Sequence, residues 1–218
     1  LSLDFTALAP ELPALGTMIE PVAPTLLAEL PPGAISVMGM SLKRRSGKTV
    51  EDVAVAIATS IVGRTKARLG ARLMGKELGF DLADLEAALG DQVALAVYAA
   101  PGGAGKPPQT LGLVSVKDQA RAAQVVAKLG AFIKKEQPRA VVSKHGFSIN
   151  SGSEELAVEL RGDRLMLAVG PAATAALQAA RTPSRDADPS LVLPTAPVHA
   201  VASLNTARAL AALMLDAP

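Results

Sequence analysis

The chain has 218 residues, with 22 Lys+Arg against 20 Asp+Glu, two His, no Cys, no Trp and five aromatic rings. Half of the residues are hydrophobic and 19% are charged, which excludes an intrinsically disordered chain because ample apolar area offsets the ordering entropy. A net charge of +2 and rings scattered at Phe5, Phe80, Tyr98, Phe132 and Phe147 give neither a broad positive field nor a base-stacking platform, so no nucleic acid is expected as a partner.

A fold of this length buries roughly 70% of the surface its unfolded chain exposes, so no staple is required. The sequence reads as a single α+β domain over 1–218. The absence of Cys removes catalytic thiols, Cys-ligated zinc and disulfides. The apolar material is 42 Ala and 30 Leu, a composition suited to helices laid closely on a sheet. Continuous apolar runs such as Val53–Ala58 are far short of the about 20 residues that span a bilayer. With Leu1 first and no segment of signal-peptide type ahead of Ser2-Leu3-Asp4, the expectation is either a removed leader or an excised piece of a longer chain.

In chain order, 1–33 is rich in Leu and Pro, with a short helix expected over Ala23–Leu30. Ala34–Met40 reads as a strand, and Val50–Val62, continuing to Leu78, as a long helix. Asp81–Leu89 is a short helix with Asp81 as its cap, ended by Gly90. Gln92–Ala99 and Thr110–Val116 read as strands around a Gly/Pro loop, and Asp118 caps a helix running to about Lys135, where Pro138 stops it. Three further strands are expected over Ala140–Ile149, Glu155–Leu160 and Leu165–Val169, the last two joined by the short hairpin loop Arg161–Arg164. Gly170-Pro171 opens a helix to Ala180. A Pro-rich connection over 182–197 leads to a strand over Val198–Leu204 and a helix over Asn205–Leu215. Together these predict a mainly antiparallel sheet with Ala/Leu-rich helices packed on one face. The domain is expected to divide into two pseudo-repeated halves, 1–90 and 91–218. Separately, Ser2-Leu3-Asp4 echoes Ser203-Leu204-Asn205, each followed by an Ala/Leu segment, which suggests that the chain ends where a second copy of its own module begins, as in a tandem array.

Candidate chemistry is sparse. Ser46-Gly47-Lys48-Thr49 resembles the end of a phosphate-binding loop, but Leu42 stands where the first Gly of that pattern belongs, and Thr49 with Asp52 equally makes a capping box. His145 and His199 each lack a second ligand at metal spacing, so no metal and no cofactor is expected. Asp186-Ala187-Asp188 lacks the Gly and distal Glu of a calcium loop. Arg64, Arg68, Arg72 and Lys76 recur every four residues, a stripe about 18 Å long on a helix. With Lys43, Arg44, Arg45 and Lys48 they form a candidate contact for an anionic membrane surface, a polyanion or an acidic partner. An ordinary solvated face accounts for the same stripe. Gly63, Ala67, Gly70 and Ala71 make a small-residue groove on that helix.

Leu89-Gly90-Asp91-Gln92 entering VALAVY, LGLVSVKD before AQVVAKL, LAVELRGDRLMLAVG and the closing VASLN resemble a family of bacterial envelope domains of unknown function, found in lipoproteins or behind a single membrane anchor. The resemblance covers about residues 80–215. It implies an extracytoplasmic (periplasmic or envelope) α+β module and supplies no catalytic residue. The function expected is a non-enzymatic binding or scaffolding module for an unknown protein or envelope surface. The alternatives are an anionic-surface or polyanion binder acting through the basic residues, and a nucleotide-binding enzyme using residues 46–49.

Overall fold

A computed structural model of the chain describes residues 2–3, 19–47, 82–100, 109–150, 155–179, 197–198 and 200–205. They build an antiparallel sheet of nine strands: β1 (Ser2–Leu3), β2 (Ser36–Ser41), β3 (Leu89–Tyr98), β4 (Gln109–Val116), β5 (Val141–Ser143), β6 (Gly146–Asn150), β7 (Glu155–Arg161), β8 (Arg164–Val169) and β9 (Ala200–Leu204). Their order across the sheet is β1-β9-β2-β3-β4-β8-β7-β6-β5. Three helices accompany it: α1 (Leu82–Ala88), α2 (Gln119–Glu136) and α3 (Pro171–Ala179), with a short 3-10 helix over Thr25–Glu29. The α+β class and the antiparallel sheet are therefore as the alternation of the sequence predicts.

The central strands β2, β3, β4, β8 and β9 carry apolar residues on both parities, so the sheet has two apolar faces. Side chains on one face alternate with those on the other. The row Gly39, Ala94, Leu113, Met166 crosses the sheet on one side, and the row Met38, Leu95, Gly112, Leu167, Val158, Phe147 crosses it on the other. We call the side of Met166 the first face.

The first face holds the larger core. Leu26, Leu27 and Leu30 from the 3-10 segment and Ala173 and Leu177 from α3 pack there on Val37, Ala94, Ala96, Leu111, Leu113, Met166 and Ala168. Gly39 is part of this arrangement, because a Cβ at that position would lie only 3.0 Å from Leu27 Cδ1. The second face holds a smaller cluster in which Ala122 and Val126 of α2 meet Ala88, Val116 and Leu160, with Leu165 against its edge. Leu165 and Met166 are neighbours in one strand, and they touch opposite layers.

The expectation of helices on a single face is thus corrected: among the described helices, α2 and α3 lie on opposite sides. The physical reason is that both parities of β4 and β8 are apolar and each needs cover.

Smaller differences are local. The stretch Ala140–Ile149 folds as a hairpin, β5 and β6, because Ser143, Lys144, His145 and Gly146 supply a polar turn in its middle. Leu89 and Gly90 begin β3 and do not end the preceding helix, which stops at Ala88. The expected helix at Ala23–Leu30 is the 3-10 turn Thr25–Glu29. Asp118 caps α2 as expected, its Oδ1 accepting the Arg121 backbone N–H at 3.0 Å. The β7–β8 turn rests on Gly162, whose φ of +57° suits a residue without Cβ. The long helix expected over Val50–Leu78, with its small-residue groove, and the helix expected over Asn205–Leu215 lie outside the described residues apart from Asn205, as does the 182–197 connection apart from Pro197.

Candidate functional site

Of the basic residues singled out in the sequence, Lys43, Arg44 and Arg45 are described, while Lys48, Arg64, Arg68, Arg72 and Lys76 lie outside the described residues. Lys43–Arg45 leave the end of β2 and are held by the segment before the 3-10 helix. Ile19 bridges Arg44, the Glu20 N–H donates to the Lys43 carbonyl at 2.6 Å, and the Lys43 N–H donates to Ser41 Oγ at 3.0 Å. Two of these three cations are already matched by carboxylates. Lys43 Nζ sits 2.9 Å from Glu20, and Arg44 pairs with Glu86 of α1. The hydrogen bond and charge of Lys43 hold the Glu20 carboxyl below its usual range, and Glu20 in turn raises the Lys43 ammonium. Arg45 is exposed and has no ion pair among the described residues.

Ser46 and Gly47 form the turn that follows, with Gly47 at φ +77°. Lys48 and Thr49, the residues a phosphate would need, lie outside the described residues, as do His199, Asp186 and Asp188. His145 is exposed in the β5–β6 turn. Among the described residues no group of three His, Asp or Glu side chains could hold a metal. No helix among them is long and apolar enough to cross a membrane. The space beneath the 3-10 helix, between Leu27, Gly39, Ser41 and Gln92, is about 10 Å³, room for about one water.

Polar side chains elsewhere tie elements together. Arg164 on β8 makes a two-pronged contact to Glu29 of the 3-10 helix, Nε to Oε2 at 2.8 Å and Nη2 to Oε1 at 2.6 Å. That contact, together with Asp163, raises the Arg164 guanidinium further above its ordinary range. Arg161 pairs with Glu159 at 2.8 Å and reaches the Leu177 carbonyl of α3 at 3.5 Å. Tyr98 donates its hydroxyl to the Pro31 carbonyl at 3.0 Å.

The surface that residue-by-residue motif reading misses is apolar. On the second face Leu167 is 40% exposed, Val169 44% and Leu204 42%. Leu204 and Val169 belong to one cross-strand row through Ser36, Val97 and Thr110, and Leu167 lies in the adjacent row beside Leu95 and Met38. Val97, Leu95 and Met38 are half-buried, so the three exposed residues mark a band running across five strands. The available signal was the parity of Arg164–Val169, where Leu165, Leu167 and Val169 are apolar on the side opposite Met166 and Ala168.

No family model, no curated protein and no solved structure matches this chain.

Proposed function

We propose that this chain is a non-enzymatic binding or scaffolding module of the bacterial envelope, and that its partner is a protein. The observation that carries the reading is the band Leu167, Val169 and Leu204. Exposed large apolar residues on a sheet face, here interrupted by Ser36 and Thr110, are a recurrent mark of protein association, because burying them removes apolar area from water at about 25 cal/mol per Å². The extracytoplasmic address rests on the sequence resemblance.

The test is a photo-crosslinking residue placed at position 167 in producing cells. The reading expects one discrete protein adduct, lost when Val169 is replaced by Lys. Uniform lipid labelling and no protein adduct would contradict it.

A second reading, an anionic-surface or polyanion binder, draws support from Arg45, exposed at the end of the basic segment. It expects salt-sensitive binding to anionic vesicles that reversal of Arg45, Arg64, Arg68, Arg72 and Lys76 abolishes.

A further inference from the structure

The sheet ends at β5, and its outer edge carries no strand among the described residues. Edge strands in natural proteins are commonly blunted by charge, shortness or a cover, since a bare row of N–H and C=O groups invites pairing. β5 is short, yet its three residues are exposed, with Val141 at 67% and Val142 at 40%. Val142 stands opposite Phe147, one position from the Ser143–Gly146 pair that closes a two-residue turn. In antiparallel pairing such alternate residues form non-hydrogen-bonded pairs, so the Val142 N–H and C=O point outward to the open edge.

The charge around this edge selects its occupant. Between Lys134 and His145 the chain carries Lys134, Lys135, Arg139 and Lys144 against Glu136 alone, a net of +3 in a protein whose total is +2. All five charged residues are exposed. Lys134 Nζ is fixed over the entrance to β5 by the Pro138 carbonyl at 2.8 Å and the Ala140 carbonyl at 2.7 Å. Arg139 precedes the strand and Lys144 follows it, so both ends are positive. Antiparallel pairing of two copies through β5 would set Arg139 of one beside Lys144 and His145 of the other, a like-charge arrangement that opposes self-association.

We infer that the β5 edge is a docking strand for an extended protein segment with an apolar centre and acidic flanks, added to the sheet as a tenth strand. The segment would pair its backbone with Val142, cover Val141 and Val142 with alternate side chains, and place carboxylates near Arg139 and Lys144. This inference rests on the reading of the chain as a protein-binding module and names the partner's chemistry at a site separate from the Leu167 band.

The experiment is an NMR titration of the full chain with a synthetic peptide of alternating Val and Thr flanked by Glu, beside the same peptide flanked by Lys. The acidic peptide is expected to shift the amides of Ala140–Ser143, to protect the Val142 amide from exchange, and to bind at least about tenfold more tightly than its basic counterpart. The double variant Arg139→Glu, Lys144→Glu, both changes being on exposed side chains, is expected to reverse that preference. Val142→Pro removes the outward N–H and is expected to abolish binding of either peptide. Equal binding of the two peptides, or no shift at β5, overturns the inference. Shifts confined to Leu167, Val169 and Leu204 overturn it while leaving the protein-binding reading standing. Phosphatidylglycerol vesicles that shift the same residues without protecting the Val142 amide assign the charge to a lipid surface and overturn it as well.

Discussion

Arg164 and Glu29 are 135 positions apart in the chain and meet side by side, two nitrogens on two carboxylate oxygens. The contact fastens the 3-10 helix, and with it Leu26 and Leu27, over the first face of the sheet. The planar guanidinium matches the carboxylate in both distance and direction, which Lys would not. With side chains 25% and 42% exposed, the pair is partly screened, and its worth stays near the upper end of surface ion pairs. Glu29→Ala is expected to lower unfolding stability by about 1 kcal/mol in a urea titration, and Arg164→Lys, which keeps the charge and gives up the two-pronged geometry, to lose more than half as much. No change in midpoint for Glu29→Ala would contradict the clamp.

The Glu20–Lys43 pair carries a pH signature. Glu20 is depressed in the folded protein, so its contribution is complete above the unfolded carboxylate value of 4.5 and is lost as pH falls through the lower folded value. Lys43 is raised, so its contribution is complete below 10.5 and is lost as pH rises through the higher folded value. In Lys43→Ala the Glu20 carboxyl should titrate at its ordinary position, read by carboxyl carbon NMR. An unchanged titration would place the cause elsewhere.

Gly39 faces Leu27 across the first core, and the three terminal carbons of that Leu lie 3.0 to 3.3 Å from where a Cβ would stand. Leu27 is 3% exposed and has little room to retreat. Gly39→Val is expected to cost about 1–3 kcal/mol by overpacking, despite the better strand propensity of Val. A stabilised variant would show that the 3-10 segment lifts freely from the sheet.

The covered first face and the exposed part of the second face should differ in how much truncation costs. Leu111 is wholly buried, and Leu111→Ala should cost about 2–5 kcal/mol. Leu167→Ser on the neighbouring strand should cost much less, about 1 kcal/mol or under, while reducing the photo-adduct at the second face. Equal costs at the two sites would mean that the second face is covered in the free protein.

Much of the architecture was legible because it is written in short-range signals. Alternation marked β3, β4, β7 and β8; Asp118 marked the start of α2; Pro138 marked its end. The hairpin within Ala140–Ile149 was read as one strand because Lys144 and His145 are ordinary strand-surface residues until pairing shows that they turn the chain. The placement of α2 and α3 on opposite faces was missed because composition gives the need for cover and not its side. The basic segment was visible, yet the match of Lys43 with Glu20 and of Arg44 with Glu86 depends on contacts between 20 and about 40 residues apart, which no local pattern encodes. The exposed band and the β5 edge were missed for a related reason: an apolar residue reads as core until its exposure in the fold is seen.

The most direct measurement is hydroxyl-radical footprinting of the free chain, comparing side-chain oxidation at Leu167, Val169 and Leu204 with that at Leu111 and Leu113. The account predicts strong labelling of the first three and almost none of the second pair. Protection of Leu167 and Val169 equal to that of Leu111 would contradict a face held open for a partner.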